Sequence, residues 1–347
     1  MKTTTGFAIV SLALCCASPA QAVIFDWATV GNPGNTGEYQ PLQGTFGAVD
    51  YTYRISKHEV TNNQYTEFLN AVDPTGANSL FLYNSNMSSH ARGGINFNDG
   101  AANGSKYEIK SGRDNNPVVF VSFFEAMRFT NWLENGQGSG NTESGVYTIG
   151  SGSDEVRDPN ATFFIPSEDE WYKAAYHKND GITGNYWDYP TSTDVVPYSD
   201  NPSSLNTPDD TNVANVFKND GIANGFDDGY AVTGSTSLDN NQNYLTDVGA
   251  YSQAVSPYGT FDQGGNVWEW NELVFDPDLG PLPIVLIGEG GEVQPDSSFL
   301  RGSRGGCWCG SSGSLSALDR GYVGPTSENS IFGFRVASVI SLLKKSY

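Results

Sequence analysis

Apolar residues recur at helical spacing in three stretches of the chain and alternate in a fourth. After Thr61, the residues Tyr65, Phe68, Leu69 and Val72 fall on one face of a helix over 62–72. Ser122 with Glu125 three residues on has the pattern of a capping box, and Ala126, Phe129, Trp132 and Leu133 form the apolar stripe that follows. Ser167 with Glu170 repeats the pattern ahead of Trp171, Ala174 and Ala175. Residues 51–60 alternate as a strand does. Between these elements lie long stretches rich in Gly, Asn, Asp and Ser, at 74–116, 135–160 and 179–245, which read as loops. Loops of that length in a compact domain are functional or held by ligands. The pattern predicts one loop-rich α+β domain over 23–347, with two or three helices and several short strands.

Residues 1–22 predict a cleaved export signal. Lys2 supplies the positive end, 7–17 the apolar run, and Ala20 and Ala22 the small residues before the cut. The run is too short to span a bilayer, as is the apolar C-terminus at 338–345. Leu14 before Cys15 is too bulky for lipoprotein processing. The expected location is secreted or periplasmic. Net charge is −21, and −22 once Lys2 is gone. Such a surface repels nucleic acid and anionic membranes and suits divalent cations, although solubility alone is the blander explanation. Only Cys307 and Cys309 survive cleavage, so the domain is no disulfide scaffold. Its stability must come from packing, for which 19 Phe, 18 Tyr and 7 Trp provide the bulk.

Five segments in order carry a resemblance. They are YRISKHEVTNNQY at 53–65, NPVVFVS at 116–122, FIPSEDEW at 164–171, GGNVWEW at 264–270, and RGGCW at 304–308 with GFRV at 333–336. Together they resemble the formylglycine-generating enzyme, or sulfatase-modifying factor, family, over a core of about 45–338. The resemblance implies a complex C-type-lectin-like fold with little regular secondary structure, held partly by calcium. It implies one calcium set at Asp262 and Glu269 through side chains, with Gly265 and Val267 through carbonyls. It implies a second, more loosely matched, at Asn215 and Asp228 through side chains, with Val216 and Tyr230 through carbonyls. The bland alternative for both sets is ordinary turn and capping chemistry.

The oxidases of this family work through two cysteines that bind Cu(I), a soft ion suited to sulfur. Those positions fall here on Gly310 and on Leu315, or on Ser312 or Gly313 if the loop is shorter, and none is cysteine. Cys307 instead takes the place of the family's active-site serine. Three readings of Cys307 and Cys309 stay open: half-buried thiols sharing one face of a strand, a Cys-x-Cys disulfide, or a displaced soft-metal site. His58, His90 and His177 read as surface or packing residues, and Trp268 and Trp270 as core. The expected function is a calcium-stabilised module that binds a protein, peptide or glycan. The rival is a copper oxidase that uses Cys307 and Cys309 to make formylglycine in a sulfatase.

Overall fold

The computed structural model describes residues 22–150, 155–276, 280–282 and 299–340. The expected export signal up to residue 21 and the C-terminal residues 341–347 lie outside them. Helices α1 (Asn62–Val72), α2 (Asn86–Ser89), α3 (Phe123–Glu134) and α4 (Glu168–Tyr176) punctuate many short strands. The fold is α+β, loop-rich and poor in regular structure, as the sequence pattern predicts.

The three long helices start where the capping pattern places them. In α1 the Gln64 amide donates to the Thr61 hydroxyl at 3.3 Å, and the Gln64 side chain accepts from the Thr61 amide at 3.0 Å. Glu125 accepts from the Ser122 amide at 2.6 Å ahead of α3. Ser167 and Glu170 exchange the same two bonds ahead of α4. The predicted stripes turn inward: Tyr65, Phe68, Leu69, Phe129, Trp171, Ala174 and Ala175 are fully buried. Phe129 sits among Tyr65, Phe68, Trp132 and Phe334, with ring centroids 5.4 to 6.0 Å away. This cluster locks α1 to α3 and to the C-terminal segment.

A four-stranded antiparallel sheet runs in the order Trp27–Val30, Tyr53–Ser56, Ala337–Val339, Phe163–Phe164. It ties the two ends of the described chain together. The alternating stretch at 51–60 is shorter than its pattern, because pairing with Trp27–Val30 covers only Tyr53–Ser56 and the adjoining backbone departs to cap α1. The second sheet is built on Trp268–Asp276, paired antiparallel with Leu300–Arg304 and parallel with Phe332–Gly333. Glu269 lies opposite Arg304 on one side and Gly333 on the other, which brings Arg335 within its reach.

The long polar loops hold short elements that no periodicity announces. Ile95–Phe97 pairs with Tyr107–Ile109, Phe217–Asn219 with Asp228–Tyr230, and Tyr198–Ser199 with Val213–Ala214. Asn and Asp side chains order much of the rest, where ligands are the expectation from sequence. Asp73 accepts from the amides of Ala77 and Asn78 and from the Tyr107 hydroxyl. Asn131 takes the Tyr147 amide and gives to the carbonyls of Thr142 and Tyr147, as a strand neighbour would.

Candidate functional site

The expected calcium segment 262–269 wraps a buried charge cluster. Arg335 is fully buried and forks onto Glu269, with Nε to Oε2 at 2.5 Å and Nη2 to Oε1 at 2.6 Å. Its remaining donors reach the carbonyls of Ser56, Lys57 and Phe261. Trp171 Nε1 adds a third bond to Glu269 at 2.7 Å. Glu59 and Asp262 stand beside the pair, and their charges act on one another. Burial, followed by the charges of Asp262 and Glu269, pushes Glu59 well above the usual carboxylate range. Burial pushes Asp262 up to about 6. Glu59 Oε1 accepts from Asn266 at 3.0 Å, while its Oε2 has no hydrogen-bond partner among the described residues.

The buried Glu59 and Glu269 and the half-buried Asp262 thus share one guanidinium, and one carboxylate oxygen is orphaned. For a further cation here the expected ligands are Asp262 and the carbonyls of Gly265 and Val267, and Asp262 Oδ2 already accepts from the Gly249 amide at 2.5 Å. Glu269 can give it little, because three of roughly four lone-pair directions are filled and the guanidinium beside it repels a second cation. Gly265 has φ 87° and holds the loop against Asn215, whose carbonyl a Cβ at 265 would meet at 2.3 Å. Asn215 O accepts from the Asn266 amide at 2.8 Å, so the two expected calcium segments meet here.

In the second expected set, at 215–230, the two carbonyls and Asp228 already accept hydrogen bonds. The Tyr230 carbonyl already takes the amides of Thr233 and Gly234, at 3.0 and 2.8 Å, which fills both lone pairs. The Val216 carbonyl accepts from the Ser199 hydroxyl at 2.6 Å. Asn215 spends its side-chain donors on Tyr244 O and Asn266 Oδ1. Asp228 is half-buried and accepts from the Gly225 amide at 2.9 Å. Its neighbour Asp227 is the acid that turns inward, to the Ser199 amide at 2.7 Å and the Lys218 ammonium at 2.8 Å. A lysine supplies the positive charge there. Among the described residues, no group of three or more His, Cys, Asp or Glu is placed to hold a metal ion.

Cys307 and Cys309 do not lie in a strand, as one open reading has it. They belong to a turn closed by the Gly310 amide on the Cys307 carbonyl at 2.9 Å, just after Leu300–Arg304. The turn, not strand alternation, brings the sulfurs to 3.0 Å. Both are free thiols, Cys307 buried and Cys309 half-buried. A metal bound at about 2.3 Å from each sulfur would be pinched to an angle of roughly 80° by that 3.0 Å separation, which does not fit an ordinary thiolate site. Trp308 between them is buried, stacked on Tyr244 at 4.9 Å, and covered by Arg92 at 4.7 Å.

The family model described as "Sulfatase-modifying factor enzyme 1-like domain" matches residues 45–340. The chain belongs to this family. A curated relative, "Serine/threonine-protein kinase pkn1" of Chlamydia caviae, is 34% identical over 86 residues, which are 25% of this chain and 14% of that protein's length. Similar solved structures include "Crystal Structure of CarF", at 18% identity and TM-score 0.46, covering 91% of this chain and 99% of that one. "Treponema denticola variable protein 1" is also 18% identical, with TM-score 0.45 and coverage of 93% and 98%. "Structure of PvdO from Pseudomonas aeruginosa" is 16% identical, with TM-score 0.40 and coverage of 91% and 92%.

The positions where the resemblance expects the oxidases' cysteines, Gly310 and then Leu315, Ser312 or Gly313, lie at the end of the 307–310 turn and just after it. Gly310 closes the Cys307 turn, and its carbonyl takes the Phe217 amide at 2.9 Å. Ser312–Leu315 is a short 3₁₀ turn whose Leu315 packs with Ala214 and Val216. The histidines pack: His58 on Phe261, His90 on Phe120, and buried His177 against Tyr258, whose hydroxyl it meets at 2.7 Å. Trp270 is fully buried, stacked on Phe332 at 5.1 Å. Glu59, Asn266 and Arg92 were not singled out from sequence. The first two lie inside recognised segments; Arg92 sits in a polar loop with no signal at all. A cleft of about 710 Å³ opens between the N-terminal segment and α1, lined in part by Asp26, His58, Glu67 and Asp247.

Proposed function

We propose that this chain is a non-oxidase member of its family: an exported, calcium-stabilised domain that binds a protein, peptide or glycan. The observation that carries the reading is the absence of a thiol at Gly310, Ser312, Gly313 and Leu315, the last of which is committed to apolar packing. The ordered polar loops and the acidic cleft supply surface for a ligand. Export agrees with a core that takes in Val23, the residue that cleavage after Ala22 would leave first. Calcium is assigned to Asp262 and the carbonyls of Gly265 and Val267, on the charge balance around Arg335.

Two measurements test the reading. Incubating the domain with Cu(I), dioxygen and a Cys-x-Pro-x-Arg peptide should give no aldehyde by mass spectrometry. Aldehyde that disappears in Cys309→Ser would replace the binding module with a copper oxidase. For calcium, chelation should lower the unfolding midpoint, since an ion at a hundred times its Kd stabilises the native state by about 2.7 kcal/mol. An unchanged midpoint removes calcium from the account.

A further inference from the structure

The turn at 307–310 sets two thiols of unequal access side by side. Cys307 is 2% exposed and faces the core, whereas Cys309 is only partly buried. Arg92 is 3% exposed, lies over the rings of Trp308 and Tyr244 at 4.7 and 5.1 Å, and acts on Cys309 through its charge. Its two Nη groups donate to the carbonyls of Asp239 and Asn240. Its Nε is buried and has no hydrogen-bond partner among the described residues. A buried cation with an unspent donor beside an accessible thiol favours the thiolate.

We propose that Cys307 and Cys309 form a thiol–disulfide exchange site, with Cys309 as the attacking sulfur and Cys307 as the resolving one. The Cys309 thiolate attacks one sulfur of an incoming disulfide. A mixed disulfide forms, the old S–S bond breaks, and one thiolate leaves and takes a proton from solvent. Cys307, 3.0 Å away, then gives up its proton and attacks Cys309 Sγ, expelling the second thiolate. Two protein thiols lose two electrons and two protons, and the disulfide becomes two thiols. The inner thiol cannot meet an external disulfide, so the order of attack follows from burial. The Cys307 thiol donates to Cys309 and holds it below the ordinary thiol range, with Arg92 adding to the effect, while the same contact and burial push Cys307 far up. The proposal is independent of the ligand-binding reading.

The test uses the reduced protein, glutathione disulfide and a chelator that excludes metal catalysis. The wild type should release two glutathiones per chain, and the peptide holding Cys307 and Cys309 should lose the mass of two hydrogens. Cys307→Ser should stop at a glutathione adduct on Cys309, and Cys309→Ser should stay unmodified. Native iodoacetamide labelling of the wild type checks the order without a variant: Cys309 should react at least about tenfold faster than Cys307. Arg92→Gln should move the pH midpoint of that labelling upward. No internal oxidation in the wild type, or equal labelling of the two thiols, overturns the exchange site. An unmoved midpoint in a folded Arg92→Gln removes Arg92 from it.

Discussion

Arg335→Met should cost this domain about 3–5 kcal/mol, a large share of the 5–15 kcal/mol that holds a typical native state. Every donor of Arg335 is spent inside the protein, two on Glu269 and the others on three carbonyls. Methionine fills much of the volume but leaves Glu269 with Trp171 alone, next to Glu59 and Asp262. A buried charge stripped of its partner is expensive, whereas replacing both members by apolar groups is often close to neutral. The double variant Arg335→Met with Glu269→Leu should therefore recover part of the loss, limited by the two acids that remain. Urea unfolding of the four proteins in a double-mutant cycle gives the coupling directly. A single-variant loss below about 1 kcal/mol would mean that the pair is solvated and that the cluster does not organise the 262–269 loop.

That cluster also marks how far the sequence could be read. GGNVWEW and GFRV are both distinctive as segments, yet nothing in either says that Glu269 answers Arg335. The meeting depends on the parallel pairing of Trp268 with Phe332, a register set by tertiary packing. Expectations built on local chemistry fared better. Thr61, Ser122 and Ser167 start helices because a capping box needs only residues three apart. Alternation misled at Cys307 and Cys309, because Gly305 and Gly306, with φ 98° and 74°, bend the chain out of Leu300–Arg304 and into a turn. The second calcium set meets a related ambiguity. Asn and Asp in polar loops serve equally as cation ligands and as substitutes for backbone partners, and only the fold reveals which amides stand nearby.

Glu125→Gln should flatten the pH dependence of stability while leaving helix α3 intact. Glutamine serves the capping box as well as glutamate does, and α1 already uses Gln64 at the equivalent place. What the substitution removes is a buried carboxyl that burial, with the nearby charge of Glu328, pushes up to about 7. A carboxyl raised in the folded state holds its proton where the unfolded chain has lost it, so its contribution falls as pH rises from about 4.5 to about 7 and is level above that. Glu272, also raised to about 7, acts in the same sense, while His58, held down to about 4, acts in the opposite sense but only below about 6.5. Between pH 6.5 and 8 the acids are therefore isolated from His58. The wild type should lose stability across that window, and Glu125→Gln should lose roughly 1 kcal/mol less. Denaturant midpoints at the two pH values decide it. Equal losses in the two proteins would show that Glu125 is ionised throughout, with Glu328 too distant or too well solvated to oppose it.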